Sequence, residues 1–124
     1  MSDLAEYDNA NLEVNDGVAQ EVHCIKDIDS ATDFELKHTP CIEVANQEAG
    51  RLVKVSIGLK NIAHPQTEEH LIEWIRVFVG GELASDVHFG PTDKPELELV
   101  VDNSDAQIVA QALCNLHGLW EARA

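Results

Sequence analysis

The chain has 124 residues, of which 44% are apolar and 25% are charged, and this length and composition predict one folded globular domain. Eight basic side chains against 23 acidic ones give a formal net charge of −15, which argues against binding to nucleic acid or to an anionic membrane surface. The sequence has no apolar run of membrane-spanning length, and its first residues, MSDLAEYDNA, do not resemble a signal peptide. We therefore expect a cytoplasmic protein that binds neither nucleic acid nor membrane.

Residues 1–33 differ in composition from the rest of the chain. They contain nine acidic side chains and a single lysine, which predicts an acidic, partly ordered N-terminal extension to a domain that spans residues 34–124. Four apolar residues recur there at helical spacing and leave a short helix open as an alternative: Val14, Val18, Val22 and Ile25.

Four later segments have the patterns of β-strands. LVKVSIG and KPELELVV alternate apolar and polar residues, as strands with one buried face do. HLIEWIRVFV is rich in β-branched and aromatic residues and runs through Gly80 and Gly81 into ELASDVHF, which predicts a hairpin with a two-residue turn. Short strands at this spacing predict an antiparallel sandwich or barrel.

The segment SDAQIVAQALCNLHG can be interpreted in two ways. Its alanines and glutamines, a capping residue at Ser104 or Asp105, and a glycine at Gly118 favour a helix when the segment is taken alone. A strand that ends in a tight loop would also let Cys114 and His117 converge, because only two residues separate them.

The cysteines and histidines are the residues that could carry chemistry. Three cysteines are too few for a secreted disulfide framework, so reduced thiols or metal ligands are expected. Four of the six histidines lie beside strand-like segments, and Pro65 favours an extended backbone at the residue before it. The candidate metal ligands are His38, His64, His70, Cys114 and His117. The remaining two histidines, His23 and His88, are interpreted as surface residues.

The donor types narrow the choice of metal. Neutral imidazoles and a thiolate suit iron, copper or zinc, whereas calcium and magnesium prefer oxygen ligands. Zinc usually stops at four ligands, so five protein ligands favour iron with an open sixth position.

The blocks LKHTPCIE, AHPQTEEHLIEWI and ALCNLHGLWE, in this order, resemble the iron-binding domain of superoxide reductases, the neelaredoxin and desulfoferrodoxin family. The resemblance covers roughly residues 34–121 and implies an all-β, immunoglobulin-like antiparallel β-sandwich, with a strand rather than a helix at residues 106–113. It also implies one mononuclear non-haem iron, with four equatorial histidines (His38, His64, His70 and His117) and Cys114 as the axial thiolate. Such an enzyme reduces superoxide to hydrogen peroxide, is re-reduced by a small redox protein such as rubredoxin, and forms dimers or tetramers.

Two departures from the family pattern bear on the mechanism. Lys37 matches the family's lysine, which would attract the anion and help to protonate it, but Leu36 stands where the family has a glutamate that can occupy the sixth position. Glu35 lies one residue earlier and is left out of the ligand set. Residues 1–33 contain only Cys24, so the second iron site of two-iron members is not expected, and Cys24 and Cys41 are expected to be free thiols.

Another function remains compatible with the same residues. A β-sandwich could keep a metal such as zinc as a structural clip or redox sensor and act as an interaction module without turnover. Leu36 leaves room for this alternative. The two tryptophans, Trp74 and Trp120, are interpreted as core and rim packing residues, and Trp120 could shield the sulfur from water.

Overall fold

A computed structural model describes residues 22–102 and 104–124 of the chain, and within these residues two β-sheets pack face to face. The described elements are β1 (Val22–Cys24), a 3-10 turn (Ile28–Ser30), α1 (Asp33–His38), β2 (Pro40–Gln47), β3 (Gly50–Ile57), β4 (Ile72–Val79), β5 (Glu82–His88), β6 (Leu97–Val101), β7 (Ile108–Cys114) and β8 (Gly118–Arg123). One sheet has five strands in the order β1-β8-β7-β4-β5, and the other has three in the order β2-β3-β6. The predicted all-β, immunoglobulin-like sandwich is confirmed.

The hydrophobic core lies between the two sheets. Val53 and Val55 from β3 face Ile75 and Val77 from β4, and all four side chains are at most 1% exposed. Lys54, which lies between the two valines, points to solvent and forms an ion pair with Glu98. The alternation in LVKVSIG therefore predicted the buried face of this strand correctly, as expected for a strand buried on one side.

The β4–β5 hairpin also follows its sequence. Val79 pairs with Glu82 across the two-residue turn, and both turn residues have positive φ, 59° at Gly80 and 87° at Gly81. A two-residue turn of this kind matches the twist of the flanking strands but requires residues that tolerate positive φ. The two glycines meet this requirement.

Residues 108–114 form strand β7, so the helix favoured by local propensity is wrong and the strand implied by the resemblance is correct. β7 is hydrogen-bonded to β4 on one side and to β8 on the other. Ala110, Ala112 and Cys114 are buried on the inner face, and Gln111 is only 1% exposed on the outer face. Strand pairing on both sides and burial of both faces outweigh the local helix preference of alanine and glutamine.

Helix α1 is short but has well-defined ends. Thr32 and Glu35 form a reciprocal capping box, in which the Glu35 amide donates to Thr32 Oγ1 (3.2 Å) and the Thr32 amide donates to Glu35 Oε1 (2.9 Å). The helix ends at His38, because Pro40 favours an extended backbone at Thr39. Lys37 and His38 therefore lie in its last turn.

Residues 22–24 of the N-terminal extension belong to the five-stranded sheet. Val22–Cys24 pairs in parallel with β8, and Val22 and Ile25 are buried. The helix suggested by their spacing is therefore wrong at these two residues, while Val14 and Val18 lie outside the described residues. The division at residue 34 stays a prediction, but residues on its N-terminal side contribute to the five-stranded sheet. In the described ranges, no helix is long and apolar enough to cross a membrane.

Gly58, at the end of β3, is expected to be sensitive to substitution. Its φ is 109°, and an added Cβ would clash with the carbonyl oxygen of Ile62. Gly58→Ala should lower the free energy of unfolding by at least about 2 kcal/mol, from backbone strain together with steric overlap. Urea unfolding measures the change. Gly81→Ala is the matched control, because Gly81 also has positive φ (87°) but no heavy atom lies within 4 Å of the added Cβ. If the free energy of unfolding fell equally in both variants, the predicted clash at Gly58 would be wrong.

Candidate metal centre

Four histidine rings form a closed square at one end of the sandwich. His38 lies next to His64 (4.7 Å between ring centroids), His64 next to His70 (4.6 Å), His70 next to His117 (5.1 Å), and His117 next to His38 (5.0 Å). Each neighbouring pair is nearly perpendicular, with interplanar angles of 73° to 85°. His38 and His70 face each other across the square, with centroids 6.1 Å apart. Four histidines from three separate segments of the chain thus surround one point.

The sulfur of Cys114 completes the cluster. The ligand atoms of His38, His64, His70 and Cys114 all lie within 4.8 Å of one another. Metal–nitrogen bonds of about 2.1 Å would place opposite ligand atoms about 4 Å apart, so the spacing is suitable for a single ion. The ring of His117 closes the square but lies outside this tighter group.

The hydrogen bonds of two histidines aim their other ring nitrogens inward. Nδ1 of His38 lies 2.6 Å from the carbonyl oxygen of Phe34, and Nδ1 of His64 lies 2.6 Å from that of Pro65. Because a carbonyl oxygen only accepts, each Nδ1 carries the proton and each Nε2 keeps its lone pair. This is the usual arrangement of metal-binding histidines.

Three of the inward ring nitrogens have no hydrogen-bond partner among the described residues. Nε2 of His38, His64 and His70 is buried in each case and has no hydrogen-bond partner among the described residues. An unpaired buried polar atom is costly, and three of them around one point need a common partner. A metal ion satisfies all three, so the residues present fit such an ion.

Burial keeps these imidazoles in the neutral form that a metal requires. It lowers the pKa of His64 to about 4, although the hydrogen bond to Pro65 opposes the shift. Burial is also the largest cause that lowers the pKa values of His38 and His70, and the nearby Lys37 charge lowers both further. In contrast, burial raises the pKa of the Cys114 thiol, while the backbone amides of Leu116 and His117 oppose that shift by hydrogen bonding.

Side-chain hydrogen bonds hold the loop that carries His64 and His70. Thr67 Oγ1 accepts a hydrogen bond from the amide of His70 (3.1 Å). Gln66 spans the base of the loop, where Nε2 donates to the carbonyl of Gly90 and Oε1 accepts from the amide of Ile72. These bonds fix the loop on strand β4.

Asn115 connects this loop to the turn that carries Cys114 and His117. Its Oδ1 accepts from the amide of Leu71 (2.9 Å), and its Nδ2 donates to the carbonyl of Glu69 (3.0 Å). The bonded residues flank His70 on both sides. Asn115 therefore fixes the position of one candidate ligand relative to two others.

Asn115→Ala should weaken metal binding about tenfold, because groups that orient ligands typically contribute at this scale. Competition with a chelator measures the dissociation constant. Asn115→Asp is the matched comparison, since a carboxylate still accepts from Leu71 but does not donate to Glu69, and an intermediate affinity is expected. Wild-type affinity in the alanine variant would show that the loop holds its position without this side chain.

Lys37 lies near the cluster, whereas the two residues before it in α1 do not add an oxygen ligand. The ammonium charge of Lys37 lies close enough to influence His38, His64, His70 and Cys114. Leu36 is buried, and the carboxylate of Glu35 is engaged in the capping box with Thr32. Neither residue therefore supplies an oxygen ligand in this structure.

Sequence reasoning missed several contacts around the cluster. The ring of Phe34 lies beside His38 (4.5 Å) and His117 (4.9 Å), and Trp120 stacks on His38. His23, predicted to be a surface residue, is half-buried against Trp120, so that prediction is wrong. No signal in the sequence indicates these contacts, because they depend on the pairing of β1 with β8 and on the position of α1.

The predictions of a surface position for His88 and of free thiols at Cys24 and Cys41 are confirmed. His88 is exposed and lies 3.1 Å from Asp86. Cys24 and Cys41 are free, half-buried thiols.

Comparison with known proteins matches residues 30–123 to the family described as Desulfoferrodoxin. A putative superoxide reductase of Methanocaldococcus jannaschii is 39% identical over 98 residues, which cover 73% of this chain and 82% of that protein. A superoxide reductase of Pyrococcus abyssi is 34% identical over 97 residues, which cover 68% of this chain and 83% of that protein. A solved structure of the superoxide reductase (neelaredoxin) of Archaeoglobus fulgidus, in the reduced form, has 29% identity and a TM-score of 0.67, covering 77% of this chain and 92% of that one.

Proposed function

The chain belongs to the desulfoferrodoxin family, and on that premise we propose that it is a superoxide reductase, which converts superoxide to hydrogen peroxide at one mononuclear non-haem iron. The single observation that carries the proposal is the square of four histidine rings with the Cys114 sulfur beside it. A putative superoxide reductase and a superoxide reductase are 39% and 34% identical to this chain, over 73% and 68% of its length.

We assign His38, His64, His70, His117 and Cys114 as the residues that hold the iron. The three buried Nε2 atoms and the carbonyl-bound Nδ1 atoms support the assignments of His38, His64 and His70. His117 is assigned because its ring closes the square. Five nitrogen and sulfur donors favour iron over zinc, which usually takes four ligands. Iron, when bound, supplies the one electron that the reduction of superoxide to peroxide requires.

The side chains provide the remaining functions. Neutral imidazoles and one thiolate leave the centre with a small positive charge, which favours an anionic substrate. Cys114 donates electron density through its sulfur, as thiolates do to haem iron. Lys37, whose charge reaches the histidines, attracts superoxide and supplies one of the two protons that peroxide takes up.

The capping box has a consequence for the resting state. Because Glu35 is engaged with Thr32 and Leu36 is apolar, we propose that no carboxylate of α1 occupies the sixth position after oxidation. Small anions such as azide should then bind to the oxidised protein without having to displace a side chain.

The partners and location follow from the same assignment. We propose that a small one-electron redox protein such as rubredoxin re-reduces the centre and that the chain forms a homo-oligomer. Three free cysteines are compatible with a reducing compartment such as the cytoplasm, where we place the protein.

Spectroscopy combined with product analysis tests the proposal. The purified protein should contain one iron per chain and, after oxidation, show a visible thiolate-to-iron absorption band. When superoxide is supplied to the reduced protein, hydrogen peroxide should form without release of dioxygen. A colourless zinc protein without turnover would instead identify an interaction module with a structural metal.

A further inference from the structure

Trp120 contacts two of the proposed ligands, which come from different parts of the fold. Its ring stacks on His38 of α1, with centroids 5.0 Å apart and planes at 23°. Its indole nitrogen donates a hydrogen bond of 3.0 Å to the carbonyl oxygen of His117. The side chain is only 5% exposed, so water competes little for these contacts.

Strand β1 holds the other side of Trp120. In the parallel β1–β8 register, His23 lies opposite Trp120, and their rings are 4.9 Å apart with planes at 34°. The indole is therefore enclosed between two imidazoles, His23 on one side and His38 on the other.

We propose that Trp120 is a positioning residue that sets the orientation of His38 and the position of the His117 backbone, and that His23 keeps the indole in place. The inference rests on the proposed metal site and adds two residues to its support. Ligands must be held within about 0.5 Å of their working geometry, and packing of their neighbours provides this precision. Strand β1, remote from the ligand motifs in sequence, is thereby coupled to the metal centre.

Cobalt(II) binding tests this role independently of superoxide chemistry. The probe is cobalt chloride added to the metal-free full chain, and the readouts are the dissociation constant and the thiolate-to-cobalt absorption band. Trp120→Leu should weaken cobalt binding about tenfold and shift the band. Trp120→Phe, which keeps a ring but loses the N–H donor, should weaken binding about threefold.

His23 is tested by a pair of variants. His23→Ala should weaken cobalt binding about threefold, because the indole loses the ring that encloses it. His23→Phe, which restores an aromatic ring, should recover most of the wild-type affinity and band position. A general loss of packing would not be corrected by this exchange.

Trp74→Leu is the matched control. Trp74 is also a buried tryptophan of the five-stranded sheet, 2% exposed, but it packs against Arg76, Val22 and Leu119 rather than against a proposed ligand. The Trp74→Leu exchange should lower thermal stability while leaving cobalt affinity unchanged.

The proposal is overturned if Trp120→Leu binds cobalt as tightly as the wild type, or if Trp74→Leu loses as much cobalt affinity as Trp120→Leu does. If Trp120→Leu does not fold, the cobalt affinities of Trp120→Phe, His23→Ala and His23→Phe test the proposal in its place. If the variants change cobalt binding as expected but the wild-type iron protein does not reduce superoxide, the proposed function is wrong and the positioning role of Trp120 still holds.

Discussion

Cys114→Ser should abolish the visible band of the oxidised iron protein and lower the rate of superoxide reduction by more than about a hundredfold, because changes that only orient ligands already cost 10- to 100-fold. The band requires a sulfur ligand, and the hydroxyl of serine is a poor electron donor at neutral pH. Absorption spectroscopy and pulsed generation of superoxide measure the two effects. Iron content should be determined in parallel, since loss of one ligand also weakens binding.

Cys24→Ser and Cys41→Ser are the controls for this prediction. Both thiols are free and half-buried, and burial together with the charge of Glu121 raises the pKa of Cys24 to about 12. Neither sulfur belongs to the group of ligand atoms, from His38, His64, His70 and Cys114, that lie within 4.8 Å of one another. Both variants should keep the band and the rate. If Cys114→Ser retained the band while one of the other two lost it, the assignment of the sulfur ligand would be wrong.

The parts of the fold that local sequence patterns specify were predicted well. Alternation identified β3 and β6, and the two glycines at 80 and 81 identified the β4–β5 hairpin. β7 was harder, because Ala110, Gln111 and Ala112 prefer helix locally, and only its central place between β4 and β8 makes it a strand. Parallel pairing of β1 with β8 joins Cys24 to Glu121, which no local pattern indicates.

In the candidate site, too, some features follow from local sequence and others depend on contacts between distant parts of the chain. Residue types and the order of the motif blocks were enough to choose the histidines and Cys114. The tautomers of His38 and His64 depend on nearby carbonyls at Phe34 and Pro65, and the positions of these carbonyls are set by the helix and the loop. Contacts such as Asn115 to Glu69 span 46 positions and form only when the sheet has assembled.

Lys37→Ala should lower the rate of superoxide reduction at low ionic strength by between about tenfold and a hundredfold, because local charge at a site can raise association rates by this factor. The protein as a whole carries a formal charge of −15, so an anionic substrate is repelled at long range. Attraction must therefore come from close to the centre, where Lys37 influences several proposed ligands. Pulse radiolysis at several salt concentrations measures the rate.

The salt dependence separates charge from structure. The wild-type rate should fall as salt is added, and the Lys37→Ala rate should change less, because salt screens the additional attraction that the Lys37 charge provides. Lys37→Arg should keep most of the steering. Lys54→Ala is the matched control, since Lys54 is an exposed lysine of β3 paired with Glu98 (3.7 Å), and its rate should equal that of the wild type. An unchanged rate in Lys37→Ala at low salt would mean that the metal centre alone attracts the substrate.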